Sequence, residues 1–251
     1  MRKKILVFSI VLILIVSLIA FLNIEVSTRQ GKNYKVSTLK LPLYLKILNF
    51  YDRHLNYAWL VKTLTGHLET KEEKVFRLFQ WTHEPILPQP RELPIMDDHV
   101  WNVYIRGYGV SDNFNDLFST LCNYIDVDAF FTKAHNQDHS HFIYLSFVKT
   151  ERGWVVFDPH NGVYFNNNLG KWATTTEIKK QNWKTMHIGE TAVPNSYYKP
   201  YLAKLPNIEN IGLGRANTQS PVNRLKHQLI QWFYRAPANK YILDLPETRI
   251  G

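Results

Sequence analysis

The sequence feature that most constrains the fold is a change of hydrophobic period near residue 126. Before it, apolar residues recur at the i, i+3, i+4 and i+7 spacing of a single helical face. The members of this stripe are Phe114, Leu117, Phe118, Leu121, Cys122 and Ile125. After it, residues 141–148 and 154–157 have the period of two that is typical of strands, with a turn at 150–153. Helices followed by antiparallel strands predict an α+β fold.

Two helices are predicted upstream of this stripe. Residues 41–68 are apolar and aromatic and favour a helix. Thr70 and Glu73 form the capping-box pattern, in which each side chain satisfies a backbone N–H of the other residue. The helix that begins there ends at Pro85. Residues 85–98 contain four prolines and predict a loop.

Downstream of the period change the signals become shorter. Residues 128–133 and 163–165 predict further strands, and Asp158 with its following proline ends the strand 154–157. Two more helices are predicted at residues 176–183 and 222–234. The sheet and its helices therefore form the centre of the chain.

The amino-terminal segment is an apolar run over residues 5–22, interrupted only by Ser9 and Ser17. As a helix it is about 27 Å long, close to the ~30 Å hydrocarbon core of a bilayer. The basic residues 2–4 before it predict a cytoplasmic amino end and an exported domain. A cleaved signal peptide is the alternative, but its apolar region is shorter, and Leu18 occupies a position where cleavage needs a small residue. We therefore favour a retained membrane anchor.

These patterns divide the chain into four parts. Residues 1–23 are the predicted signal-anchor helix, and residues 24–40 are a polar spacer. Residues 41–170 are the predicted α+β domain. Residues 171–251 are a carboxyl-terminal extension packed on that domain, with no function assigned from sequence.

Charge and cysteine content exclude several classes of protein. The net charge is +9, yet no block of five or more basic residues occurs, so the pattern argues against nucleic-acid binding. A single cysteine excludes an intramolecular disulfide and a cysteine-only zinc site. We expect neither a cofactor nor a metal.

Three side chains form the candidate catalytic group. Ser111 lies at the predicted amino terminus of the stripe-bearing helix, where the helix dipole and free N–H groups favour an anion. His141, or His139 two residues earlier, starts the next long strand and is the candidate base. Asp158 ends the following strand and is the candidate that orients the imidazole. Taken singly, Ser111 is also a good helix cap, and Asp158 before proline is also a good turn cap.

The order of these motifs resembles the transglutaminase-like superfamily, which is related to the papain-like cysteine proteases. The runs that carry the resemblance are 106–111 (RGYGVS), 126–130 (DVDAF), 141–144 (HFIY) and 153–159 (GWVVFDP). The resemblance covers residues 68–166. It implies a helix packed on an antiparallel sheet, with a nucleophile, a histidine and an aspartate at positions 111, 141 and 158.

The chain departs from that family at the nucleophile. Ser111 stands where the family has cysteine, and the only cysteine, Cys122, lies eleven residues further along the helix, roughly 16 Å away in rise. Cys122 is predicted to be a core residue of the stripe. A serine is a far weaker acid than a thiol and needs a positioned base and an oxyanion hole. The departure therefore predicts a helix cap or a degenerate site at Ser111, with a working serine nucleophile as the alternative.

A histidine cluster offers a second kind of site. His135, His139 and His141, with Asp138, have a spacing that invites a metal interpretation. They straddle a predicted loop and strand, without the two histidines on one helix face that make such spacing persuasive. We therefore expect no metal there.

These observations predict a membrane-anchored, exported protein with a degenerate transglutaminase-like site. The expected partners are the membrane, through residues 5–22, and a peptide, protein or glycan-linked ligand in the cell envelope. The first alternative is an active amide hydrolase or acyl transferase that uses Ser111, His141 and Asp158. The second is an assembly module that makes contact through its aromatic carboxyl-terminal third.

Overall fold

A computed structural model describes residues 2–97, 99–189, 192–205 and 208. The helices are α1 (Arg2–Leu22), α2 (Leu43–Thr65), α3 (Lys71–His83), α4 (Val100–Arg106), α5 (Ser111–Asn123), α6 (Thr175–Lys179) and α7 (Asn195–Leu202). The strands are β1 (Glu25–Lys32), β2 (Lys35–Pro42), β3 (Leu87–Pro88), β4 (Met96–Asp97), β5 (Tyr108–Gly109), β6 (Ala129–His135), β7 (Phe142–Thr150), β8 (Gly153–Asp158), β9 (Val163–Asn166) and β10 (Lys184–His187). The helix predicted at 222–234 lies outside the described residues.

A five-stranded antiparallel sheet forms the centre, in the order β10-β9-β8-β7-β6. The stripe of α5 is buried against one face of this sheet, where the Phe157 ring lies 5.0 Å from that of Phe79 on α3 and 5.3 Å from that of Phe118. On the opposite face, the Phe165 ring lies 5.0 Å from that of Tyr198 on α7. The predicted α+β class, with a helix on an antiparallel sheet, is confirmed.

Strand β8 divides its side chains strictly between these two faces. Val155 and Phe157 belong to the core beneath α5, which we call the α5-side core. Trp154 and Val156 belong to the core on the opposite face, which we call the α7-side core. Because neighbouring strand residues alternate between faces, Asp158 points to the α7 side.

The structure contains both helices that were predicted upstream of the sheet. Thr70 accepts a hydrogen bond from the Glu73 backbone at 3.2 Å, and the Glu73 carboxylate accepts one from the Thr70 backbone at 3.0 Å. The capping box thus begins α3 as predicted. The predicted helix over 41–68 corresponds to α2, with Pro42 as its N-cap.

The predicted spacer at 24–40 is a β-hairpin instead. Strands β1 and β2 pair along their whole length, and the tip residues Asn33 and Tyr34 have φ values of 49° and 63°. Positive φ at both central residues is the turn geometry that matches strand twist. The tip is held by Asn33, which donates its backbone N–H to Ile95 at 2.8 Å. The polar composition of this segment concealed its two strands, of which β1 also pairs with β4 near the hairpin tip.

Other differences concern short elements. Helix α4, strand β10 and helix α7 have no counterpart among the predicted elements. The predicted helix at 176–183 is only the five-residue α6, with a capping box from Thr174 and Glu177. Short elements are specified by tertiary contacts, since each has too few residues to show a hydrophobic period.

Helix α1 projects from the domain with its apolar side chains exposed. Among the described residues, only Lys3–Leu22 forms a helix long and apolar enough to cross a membrane, with a mean hydropathy of 3.3. This length and composition are those of a membrane anchor or a signal sequence.

Candidate functional site at the amino terminus of α5

Ser111 is the first residue of α5, and Val110 is its N-cap. The backbone N–H of Val110 donates a hydrogen bond to the side-chain oxygen of Asn113 at 3.2 Å. Because Val110 and not Ser111 is the N-cap, the Ser111 side chain has no capping role. The interpretation of Ser111 as the helix cap is therefore wrong, because the helix begins one residue earlier than that interpretation requires. The side chain is partly exposed, and within the described part of the chain its hydroxyl forms no hydrogen bond.

Asn115 fixes this end of α5 to strand β7. Its side-chain N–H groups donate to the carbonyl of Ser111 at 2.8 Å and to that of Tyr144 at 3.4 Å. Its side-chain oxygen accepts a hydrogen bond from the Ser146 hydroxyl at 2.7 Å. Since Asn115 lies one helical turn beyond Ser111 on the same side, Ser111 also faces the sheet.

Strand β7 presents aromatic side chains to this helix terminus. Ser146 contacts α5, so Tyr144 and Phe142 lie on the same face of the strand. Leu145 belongs to the α7-side core. His141 is exposed and immediately precedes β7, and we infer that the alternation of the strand continues through it to that opposite face, away from Ser111.

His141 is also separated from Asp158 along the strands. Strand pairing puts Ser146 opposite Phe157, so the same register places Asp158 opposite Leu145. His141 is four residues from Leu145, or about 13 Å along the strand, beyond the reach of the two side chains. The predicted His141–Asp158 pairing is thus not formed, because the turn between β7 and β8 sets a different register.

Asp158 is bonded elsewhere. Its carboxylate is fully buried and accepts hydrogen bonds from the Tyr198 hydroxyl at 2.8 Å and the Asn161 side chain at 2.7 Å. The Asn161 backbone donates a third, at 3.2 Å. Asp158 therefore closes the turn that follows β8 and ties it to α7.

Burial dominates the electrostatics of this pair. Desolvation raises the pKa of Asp158, and the hydrogen bonds from Asn161 and Tyr198 and the charge of His160 act in the opposite direction. Burial, together with the neighbouring Asp158 carboxylate, raises the pKa of Tyr198 far above its usual range. The Tyr198 hydroxyl therefore stays protonated and donates to the carboxylate.

His160 is a residue of this region that the sequence reasoning missed. Its ring contacts that of Phe114 edge to face, with 5.0 Å between centroids, and its charge acts on Asp158. Phe114 lies one turn beyond Ser111 in α5, so His160 flanks the helix terminus. The sequence feature that could have identified His160 is its position two residues after Asp158, just beyond a predicted strand.

The other alternative base, His139, lies in the β6–β7 turn with a φ of 59°. Its ring centroid is 5.2 Å from that of His135, the last residue of β6. Asp138 in the same turn accepts a hydrogen bond from the Ser140 hydroxyl at 2.7 Å. Within the described ranges, no group of three or more metal-ligating side chains gathers at one point.

Asp112 adds a carboxylate to the helix terminus. One of its oxygens is buried and has no hydrogen-bond partner among the described residues. Burial raises the pKa of Asp112, and the nearby Asp97 carboxylate acts in the same direction. A partly buried carboxylate, one of whose oxygens is buried and unpaired among the described residues, therefore lies next to Ser111.

Lys133 completes the wall on the β6 side. Its ammonium lies 4.3 Å from the Phe142 ring centroid and 5.8 Å from that of Tyr144. Its charge partly offsets the raised pKa of Asp112. We give the name α5-terminal cleft to the surface at the start of α5 that carries Ser111, Asp112, Lys133, Tyr144 and Phe142, and with them a hydroxyl, a carboxylate, an ammonium and two aromatic rings.

Cys122 is far from this cleft. The side chain is fully buried in the α5-side core, and burial raises the pKa of its thiol well above the usual range. The prediction of a core cysteine is confirmed. A buried, protonated thiol is chemically inert.

Two solved structures are similar to this chain. A candidate cysteine protease from Cytophaga hutchinsonii aligns with a TM-score of 0.39 and 14% identity, covering 59% of this chain and 58% of the other. A candidate protease from Parabacteroides distasonis aligns with a TM-score of 0.35 and 8% identity, covering 68% of this chain and 40% of the other. The chain thus spans less than two thirds of either protein. No family model and no curated protein matches the sequence.

Proposed function

We propose that this chain is a membrane-anchored relative of the transglutaminase-like proteins whose α5-terminal cleft binds a ligand without catalysing acyl transfer. The observation that carries the proposal is the position of Ser111. Its helix terminus faces Tyr144 and Phe142, while the carboxylate of Asp158 is bonded to Tyr198 on the other face of the sheet. The nucleophile position and the orienting carboxylate are thus separated by the sheet.

The chemistry of serine makes this separation decisive. An alkanol attacks an amide only when a base removes its proton during the attack and an oxyanion hole receives the developing charge. His141 is turned away from Ser111, and within the described part of the chain no imidazole is hydrogen-bonded to the Ser111 hydroxyl. The alkanol therefore remains protonated, and the cleft keeps the polar groups of a binding site.

These groups suit a peptide, an amide or a glycan-linked ligand. The Ser111 hydroxyl donates a hydrogen bond to a carbonyl or carboxylate oxygen, and the dipole of α5 favours negative charge at this end of the helix. The Lys133 ammonium, beside the Phe142 ring, is a further donor to such oxygens. The rings of Tyr144 and Phe142 provide the apolar wall against which such ligands pack.

The membrane anchor determines on which side of the membrane the ligand is bound. Residues 5–22 hold the chain in the membrane, with the basic residues 2–4 in the cytoplasm and the domain on the exported side. The partners are then the membrane and a peptide, protein or glycan-linked component of the cell envelope, with no nucleic acid.

A thiol placed at the nucleophile position tests the proposal. In Ser111→Cys we expect alkylation by iodoacetamide at the rate and with the pH dependence of an ordinary thiol near a helix terminus. His141→Ala and His160→Ala, each combined with Ser111→Cys, are expected to leave that rate unchanged. Ser196→Cys, at an exposed position of α7, is the matched accessible thiol, and the unmodified chain gives the background because Cys122 is buried.

Two results would contradict the proposal. Rapid alkylation at acidic pH that is lost with His141→Ala or His160→Ala would reveal a thiolate–imidazolium pair and a competent catalytic site. Absence of alkylation at Ser111→Cys, with Ser196→Cys alkylated normally, would show that the position is closed to ligands.

A further inference from the structure

Helix α2 carries a row of exposed apolar side chains on its outward face. They recur at intervals of four, three, four and four residues, which places them on a single face. This row, which we call the outer α2 stripe, consists of Tyr44, Leu48, Tyr51, Leu55 and Trp59, with exposed fractions of 37, 57, 47, 64 and 63%. It runs roughly 22 Å along the helix axis.

The opposite face of α2 is already occupied by the domain. Tyr57, Leu60 and Val61 are buried in the α5-side core. A helix that packs on a core by one face normally has polar residues on the other. In α2 both faces are apolar, and an exposed contiguous apolar surface of this kind marks a site of contact with a membrane or a partner.

The place of α2 relative to α1 identifies the occupant. Leu43, the first residue of α2, donates its backbone N–H to the carbonyl of Ile24 at 2.9 Å. Ile24 is only two residues beyond the end of α1 at Leu22. The outer α2 stripe therefore begins where the candidate membrane span ends.

We propose that α2 lies along the bilayer surface, with the outer α2 stripe inserted among the lipid headgroups and upper acyl chains. This inference rests on the proposed anchoring by α1. If the bilayer boundary lies at the end of α1, the first turn of α2 lies at that boundary as well, because Leu43 is hydrogen-bonded to Ile24. Interfacial helices bury their apolar face about 5–10 Å below the headgroups, a depth that suits side chains of this size.

The composition of the stripe matches this surface. Three of its five residues are Tyr or Trp, whose apolar rings and polar tips favour the membrane–water interface. Lys62 is exposed on the same side near the end of the helix, where its ammonium meets anionic headgroups. Asp52, at the edge of the stripe, remains in water when the helix lies flat but would be buried in lipid if the helix spanned the bilayer.

A second attachment orients the cleft. A single span lets a domain rotate about the span axis, whereas a span together with a surface-bound helix fixes the direction in which the domain faces. The β1–β2 hairpin extends from the end of α1 to β4, where Lys32 pairs with Met96. The length of β1 is about 24 Å, so the hairpin tip beside Asp97 lies no further than about this distance from the start of β1, next to the anchor.

Environment-sensitive labels on the full chain test this inference. Leu55→Cys carries a nitrobenzoxadiazole label within the stripe, and Asn49→Cys carries it at an exposed position on the flank of the same helix. Each protein is reconstituted in vesicles of phosphatidylethanolamine and phosphatidylglycerol and recovered by flotation. The label at position 55 is expected to show blue-shifted emission that brominated acyl chains quench, while the label at position 49 keeps the emission of water and is not quenched.

Each other outcome overturns the inference. If the chain floats and the label at position 55 reports water, α2 is off the membrane, although α1 still anchors the chain. A blue-shifted label that brominated lipid does not quench shows that protein covers the stripe, either a second copy or residues 209–251. Failure to float overturns both the anchor and this inference. Alkylation of Ser111→Cys in the same vesicles reports independently on the cleft.

Discussion

The hydroxyl of Tyr198 joins α7 to the end of β8. It donates to the fully buried Asp158 carboxylate at 2.8 Å. We expect Tyr198→Phe to lower the free energy of unfolding by about 2 kcal/mol, because a hydrogen bond to a buried charged group is lost and its acceptor is left less satisfied.

Denaturant unfolding measures this change. The matched control is Tyr197→Phe, since Tyr197 is 42% exposed and its hydroxyl is absent from the hydrogen bonds of Asp158. Equal effects of the two substitutions would show that the Tyr198–Asp158 bond does not stabilise the domain.

The titration of Asp158 gives a prediction with a definite sign. Burial raises the pKa of Asp158 above its unfolded value of about 3.9, so the folded chain holds the proton more tightly. The stability due to this group is complete below the unfolded pKa and is lost as the pH rises through the folded pKa.

Asp158→Asn removes that titration. The free energy of unfolding of the wild-type chain, minus that of Asp158→Asn, should fall as the pH is raised above about 4. Denaturant titrations at a series of pH values measure the difference. A difference that rises with pH would mean that the hydrogen bonds from Asn161 and Tyr198 outweigh burial.

For individual residues, the sequence predicted which side chains are buried but not which side chains they contact. Cys122 is in the core, as the helical stripe indicates. Asp158 was identified as the end of its strand, yet its partner Tyr198 lies 40 residues away on a helix with no hydrophobic period. Such a contact depends on tertiary packing, which local patterns do not contain.

Helix α3 owes its start to the capping box of Thr70 and Glu73. Thr70→Ala removes the hydroxyl that accepts the Glu73 N–H at 3.2 Å. We expect a loss of about 1 kcal/mol in the free energy of unfolding, since N-cap substitutions by alanine have costs of this size.

Thr176→Ala serves as the control, because Thr176 is exposed within α6 and is not its N-cap. We expect a change within about 0.5 kcal/mol for this surface substitution. Thermal or denaturant unfolding compares the two variants, and an equal loss in both would argue against the capping box as the cause.

The elements also show why the site was only partly predictable. The stripe of α5 predicted its helix and the face that it buries. Strand β7 was predicted as well, but a strand assigned without its register leaves open which face each side chain occupies. His141 and Phe142 are neighbours in sequence, yet alternation puts them on opposite faces of the strand.

For the whole molecule, the clearest expectation is that the amino-terminal segment is retained. Residues 5–22 make a span of about 27 Å without a well-formed cleavage site. Mass spectrometry of the chain isolated from membranes should therefore find residues 1–23 present. A mature chain that begins near Ala20 would identify a cleaved signal peptide instead.

Tyr144, and not His141, faces Ser111 across the α5-terminal cleft. Two double variants test it with dibromobimane, which becomes fluorescent when it joins two nearby thiols. Ser111→Cys with Tyr144→Cys is predicted to crosslink readily, because Asn115 reaches the backbone of both positions. Ser111→Cys with His141→Cys is predicted to stay unlinked, although both single variants react with monobromobimane. Ready crosslinking to position 141, and none to position 144, would show that His141, and not Tyr144, lies opposite Ser111.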